Sequence, residues 1–178
     1  MAQGSAVYRG EIELTDSDAN RYATLETATS LHPSESRERL ALRLLAWLLL
    51  YEEGMAFRGG GVSEGEAPDL AVRDADGNIL HWIEVGTPTE TRLQKAARRT
   101  KVTVVTHEGV LRRWQSQHKG HLPGFEGEIL VLDEALVTPL AERLSRRFRW
   151  QATISGDTLY LEDGSGSLSS PLRRIAAC

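Results

Sequence analysis

Apolar and polar residues change their period repeatedly along this chain, and each change marks an element. From Val7 to Leu14, Tyr8, Ile12 and Leu14 are set against Val7, Arg9, Glu11 and Glu13, with Gly10 interposed. A period of two sends alternate side chains to opposite faces, so this stretch predicts a strand with one wet face. The turn cluster Thr15 to Asn20 follows, and the Thr-rich alternation from Tyr22 to Leu31 predicts a second strand returning antiparallel. The spacing then becomes three and four. Pro33, Glu35 and Glu38 suit the start of a helix, and Leu40, Ala41, Leu44, Leu45, Leu48 and Leu49 form a band that Leu42, Trp47 and Leu50 widen. A largely buried helix is therefore expected to about Glu53, closed by Gly54.

Past that helix, Gly59-Gly60-Gly61 with Ser63, Gly65 and Pro68 reads as a loop. A glycine run can cradle phosphate, but this one matches no phosphate-loop pattern and leads into no helix. Two short apolar runs, Asp69 to Val72 and Ile79 to Val85, flank Asp76-Gly77-Asn78, a strong hairpin signal because glycine accepts the positive φ of a tight turn. Thr87-Pro88-Thr89-Glu90 reads as a capping box with Pro at the first helical position, opening a helix to about Thr100 that buries Leu93, Ala96 and Ala97. Val102 to Thr106 is a β-branched run, and strand, helix, strand in that order implies a right-handed crossover into a parallel neighbour. A short helix (Val110 to Gln117), a loop (Gly120 to Gly127), a buried strand (Glu128 to Leu132) and a helix (Asp133 to Arg147, around Leu136, Leu140 and Leu144) follow. Phe148 to Ile154 and Thr158 to Leu161 flank Ser155-Gly156-Asp157 as a closing hairpin, after which the chain is expected to fray through Gly164 to Ser167. There is no internal repeat. The pattern is α/β (α+β), a central mixed β-sheet flanked by helices with β-hairpins at both ends, in one domain spanning residues 1–178.

Composition narrows the classes. The 178 residues, 40% apolar and 26% charged with a net charge of −4, are those of an ordinary globular protein able to bury one core. Nucleic acid is not announced by global charge, although Arg92 to Lys101, Arg112-Arg113 and Arg143 to Arg149 concentrate basic residues locally; the plain reading of each is a solvated face. Cys178 is the sole cysteine, so no internal disulfide forms and a cytoplasmic setting is expected. Met1 to Ser5 lacks the basic-then-apolar order of a signal peptide, and the longest apolar run, Leu44 to Leu50, falls short of the roughly 20 residues a membrane span needs. The five histidines show no zinc-ligand spacing, and neither a Gly-x-Ser-x-Gly elbow nor an internal cysteine offers a nucleophile.

The remaining chemistry is a pair of carboxylates. Asp69 opens one strand of the predicted hairpin and Glu84 closes its partner, so folding brings the two to the same end of the sheet. Paired carboxylates suit a hard cation such as Mg²⁺. The duller alternative is a strand start and an exposed strand end.

At Pro68-Asp69 and Ile83-Glu84-Val85-Gly86 the chain resembles the PD-(D/E)xK nuclease superfamily, whose order of helix, strands, helix and strand matches the order above. The wider phrases His32-Pro33-Ser34-Glu35, Leu42 to Leu48, Glu66-Ala67-Pro68-Asp69 and Trp82-Ile83-Glu84-Val85-Gly86 look like the YaeQ family, a small bacterial branch of that superfamily. The resemblance spans nearly the whole chain. It implies a restriction-endonuclease-like fold, a Mg²⁺ or Mn²⁺ site made by Asp69, Glu84 and the backbone carbonyl of Val85, and a phosphodiesterase acting on DNA or RNA. The superfamily's lysine sits two residues after the glutamate, where this chain has Gly86. Lys95, in the capped helix, is the substitute, with Gln94 and Arg92 as other candidates, and Glu38 is similar to the acidic residue that the first helix lends to such sites. Loss of that lysine also fits a second class, a binding or regulatory module that kept the fold without turnover.

Overall fold

The computed structural model describes residues 4–59 and 66–178. The loop expected around Gly60, Gly61, Ser63 and Gly65, with its phosphate-cradling reading, lies outside the described residues, as do Met1 to Gln3. The chain begins with β1 (Ala6–Asp16), β2 (Arg21–Leu31) and α1 (Arg37–Leu50). Then come β3 (Met55–Phe57), β4 (Leu70–Arg73), β5 (Ile79–Val85), α2 (Glu90–Ala97), β6 (Lys101–His107), α3 (Glu108–Gln117) and β7 (Gly127–Leu132). It closes with α4 (Glu134–Arg143), β8 (Arg147–Ser155), β9 (Thr158–Glu162), β10 (Ser167–Pro171) and β11 (Arg173–Ala177). The fold is mixed α/β, with two sheets and four helices among the described residues. None of those helices is long and apolar enough to cross a membrane.

The strands divide between two compact units, one of Met1–Leu44 with Leu132–Arg173 and one of Leu45–Val131 with Arg174–Cys178. The single central sheet expected from the sequence is thus corrected to two. The first unit holds a five-stranded sheet in the order β10-β9-β8-β1-β2. Its opening hairpin is antiparallel as expected, with Ile12 opposite Leu25, while β8 joins β1 in parallel. Gly10 faces Phe148 across that parallel pair, where a Cβ would come within 2.2 Å of the aromatic ring. Only glycine leaves the ring its place.

Side chains fasten this unit through its helix ends. Arg43, 6% exposed, donates to Glu35 through Nε and Nη2 at 2.8 and 2.9 Å, to Thr29 Oγ1 at 2.8 Å and to the Ser30 carbonyl at 2.8 Å. Arg37 donates to the carbonyls of Ala141 and Leu144 at the end of α4, carbonyls a helix terminus leaves without partners of its own. That helix stops at Arg143 instead of Arg147, because Leu144 turns extended (φ −60°, ψ 120°) and β8 begins three residues later. Of the stretch from Gly164 to Ser167 expected to fray, Ser167 instead opens β10, which pairs with the edge of β9, and the residues beyond it continue into β11 on the edge of the second sheet.

The second unit holds a six-stranded sheet in the order β11-β7-β6-β5-β4-β3. β4 and β5 are the expected antiparallel hairpin, and β6 lies parallel to β5 after the α2 crossover. One core cluster is built from Leu93 and Ala96 of α2, Leu111 and Trp114 of α3, and Val102, Val104, Ile129 and Val131 of the sheet. Leu45 on α1 is fully buried, so Leu45→Ala should cost about 2 to 5 kcal/mol through lost burial and a residual cavity. Cys178 is exposed, and Cys178→Ser should cost almost nothing. Urea melts of both variants compare the two directly.

Candidate functional site

β4 and β5 pair with Leu70 opposite Ile83 and Ala71 opposite Trp82. One step outward along that register sets Asp69 opposite Glu84, and the alternation of the strands places Asp69, Ala71, Trp82 and Glu84 on one face. Both carboxylates are buried, with 3% and 5% of their residues exposed. Asp69 Oδ2 accepts the Val85 N–H at 2.9 Å, which ties the mouth of one strand to the end of the other.

Glu84 Oε1 accepts two bonds, from Trp82 Nε1 at 2.8 Å and from Arg92 Nε at 2.5 Å. Arg92 also donates through Nη2 to the Ala67 carbonyl at 2.6 Å and lies over the Trp82 ring, 5.2 Å from its centroid. One guanidinium therefore spans the approach to β4, the aromatic ring of β5 and the carboxylate beside it. Trp82 carries no signal of its own in the sequence, but its place two residues before Glu84 in a strand put it on the same face.

Burial, and after it the charge of Asp69, push the Glu84 pKa up, Arg92 and the Trp82 hydrogen bond pull it part of the way back, and together they carry it from about 4.5 to about 7. Between those two values the folded protein holds a proton that the unfolded chain has released. The contribution of Glu84 to stability is then greatest at the acid end of the window and falls as pH rises toward 7. Burial lowers the His81 pKa and works in the opposite sense over this range, so the Glu84 part is read by difference: urea midpoints of the unaltered protein should fall relative to those of Glu84→Gln between about pH 5 and pH 8.

The lysine position of the nuclease pattern is filled by a backbone requirement. Gly86 leaves β5 at φ +84° and its N–H donates to the Val105 carbonyl at 3.1 Å. Side chains disfavour that conformation, so a lysine there would be strained even though the space around the Cβ is open.

The helix that follows starts later than its sequence suggests. Thr89, not Thr87, is the N-cap, its Oγ1 accepting from the Arg92 N–H at 3.4 Å, and α2 ends at Ala97. Pro88 precedes the helix and holds Thr87 out of helical geometry. Glu90 becomes the first helical residue and accepts from Gln94 at 2.9 Å; Gln94 also donates to the Gly124 carbonyl at 2.8 Å. Of the three α2 candidates, Arg92 is the one on Glu84. The Lys95 ammonium lies 3.4 Å from Glu66 Oε2, with side chains 63% and 89% exposed. Glu38 stands in the first turn of α1, in the first unit.

Among the described residues no three or more His, Cys, Asp and Glu side chains gather to hold a metal. The pair alone still fits a hard divalent cation. Two buried like-charged oxygen donors, one raised to about 7 by desolvation and by its neighbour, are deficient in positive charge. Mg²⁺ is commonly held by one or two carboxylates, with waters and substrate oxygens completing the shell.

This is a mixed α/β protein whose buried carboxylate pair closes the end of a hairpin in its larger sheet. The chain belongs to the YaeQ family: the family model described as YaeQ protein matches residues 1–172. It is 31% identical over 175 residues to the uncharacterized YaeQ of Salmonella typhi, covering 97% of this chain and 96% of that one. It is 29% identical to the uncharacterized YaeQ of Escherichia coli K12, covering 94% of each. The crystal structure of YaeQ from Xanthomonas axonopodis pv. citri superposes with a TM-score of 0.87 at 28% identity, over 98% of this chain and 100% of that one. That of Pseudomonas syringae gives 0.86 at 32% identity, over 99% of each.

Proposed function

We propose that Asp69 and Glu84 form the metal centre of a variant PD-(D/E)xK site on a restriction-endonuclease-like fold. The protein is then a Mg²⁺-dependent phosphodiesterase of the cytoplasm acting on DNA or RNA, with Mn²⁺ able to replace Mg²⁺. The observation that carries this reading is the pair itself, two buried carboxylates set opposite each other where β4 and β5 meet, with Glu84 raised to about 7. Asp69, Glu84 and the Val85 carbonyl would hold the cation, whose chemistry when bound is to polarise the phosphodiester and lower the pKa of an attacking water. The Val85 N–H fixes the orientation of the Asp69 carboxylate. Arg92 and Lys95 on α2 supply the positive charge that the superfamily takes from its strand lysine.

A second reading, a nucleic-acid-binding or regulatory module without turnover, is favoured by one observation: Arg92 already neutralises Glu84 at 2.5 Å while Gly86 stands in the lysine position. A cleavage assay on single-stranded, nicked and branched DNA and on RNA separates the two. Cleavage that requires Mg²⁺ or Mn²⁺ and stops on chelation supports the phosphodiesterase. Binding without any cleavage in either metal selects the module.

A further inference from the structure

Beside the carboxylate pair, the second unit carries a pocket of about 650 Å³ whose wall includes Trp82, Arg92, Lys95 and Arg99. Trp82 and Arg92 are the two residues that hydrogen-bond Glu84, so the pocket and the pair share a wall. Its chemistry is two-sided. Ile79, Trp82 and Ala96 give an apolar floor, and Arg92, Lys95 and Arg99 recur along one face of α2 and the turn after it at spacings of three and four. Three cations face a single acidic lining residue, Glu66. The contact between Glu66 and Lys95 joins two exposed side chains at 3.4 Å, a pairing weak enough in water to yield to a phosphate.

We propose that this pocket is a binding site for one nucleotide of a single-stranded nucleic acid, with the phosphates against Lys95 and Arg99 and the base over Ile79, Trp82 and Ala96. The inference rests on the functional reading above for its ligand class, but not on turnover. An apolar floor beneath a cationic rim is what a nucleotide presents in complement, a flat face flanked by charge. A pocket of this size admits a base only when that base is free of its stack, which selects a single strand over a duplex. The overall charge of −4 does not oppose this, because the rim is a local concentration of cations within Arg92 to Lys101.

The test is fluorescence anisotropy in a chelator, so that no cleavage intrudes, with labelled oligothymidylate, oligouridylate and a DNA duplex of equal length. The unaltered protein should bind a single strand more tightly than the duplex, the two homopolymers distinguishing DNA from RNA as its source. Lys95→Gln with Arg99→Gln should weaken single-strand binding about tenfold at low salt and lower the slope of log affinity against log salt by about 1.4, that is about 0.7 for each lost phosphate contact. Arg113→Gln, on α3, should leave both unchanged. Both altered pocket side chains are exposed, and thermal melts confirm that the double variant folds. Binding that is undetectable in the unaltered protein, unchanged in the double variant, or stronger for the duplex overturns the proposal. Cleavage without any effect of the double variant on binding removes the pocket and keeps the phosphodiesterase; pocket-dependent binding without cleavage does the reverse.

Discussion

Glu84→Gln is expected to lower metal-dependent cleavage by about a thousandfold or more while leaving the protein folded. Glutamine keeps the shape of the side chain and an oxygen that accepts from Trp82 and Arg92, so the hydrogen bonds at 2.8 and 2.5 Å can persist. What disappears is the charge. That charge costs stability, since burial and Asp69 together push the Glu84 pKa up to about 7, and the variant should be at least as stable as the unaltered protein above that pH. Loss of rate without loss of stability marks a residue retained for chemistry. The readouts are initial cleavage rates and urea melts at about pH 8 on the same preparations.

Arg43→Ala should produce the opposite pattern, a loss of about 3 to 5 kcal/mol of stability. The guanidinium is buried and satisfies Glu35, Thr29 and the Ser30 carbonyl together. Truncation removes the buried cation that the Glu35 side chain, 9% exposed, faces at 2.8 Å, leaving it Arg39 at 3.2 Å, whose own side chain is 40% exposed. Equilibrium urea unfolding checks it, and Arg43→Met, which restores volume without charge, should recover only part of the loss.

Elements with a strong local period were legible in the sequence. Residues 40–50 form a buried helix because their apolar positions leave no wet face, and Asp76-Gly77-Asn78 makes a turn in which Gly77 takes φ +85°. The turn is tightened by Asp74, whose carboxylate accepts the N–H groups of Asp76 and Asn78 at 2.9 and 2.8 Å. Because that hairpin was legible, so was the juxtaposition of Asp69 and Glu84. Strands held by tertiary contacts were not. Ser167 to Pro171 has little strand propensity, yet Ser170 is fully buried and its Oγ accepts the Asp133 N–H at 2.8 Å. The residue that reaches Glu84 was legible only as one of three, since with Thr89 as the cap Arg92 falls at the third helical position while Lys95 lies nearly a turn further on.

The division into two sheets has a similar cause. Alternation assigns a strand its faces but not its neighbours, and nothing in Val7 to Leu14 announces that β8 will lie parallel to it. Gly10 is the one local trace of that partner, because its missing side chain is the room that Phe148 fills.

The shared cation at Asp69 and Glu84 is tested most directly by isothermal titration with Mg²⁺ and with Mn²⁺, comparing the unaltered protein with Asp69→Ala. Saturable binding at or below millimolar metal that disappears in Asp69→Ala is the predicted result. Binding that is undetectable at millimolar metal, or that survives unchanged in Asp69→Ala, would contradict it.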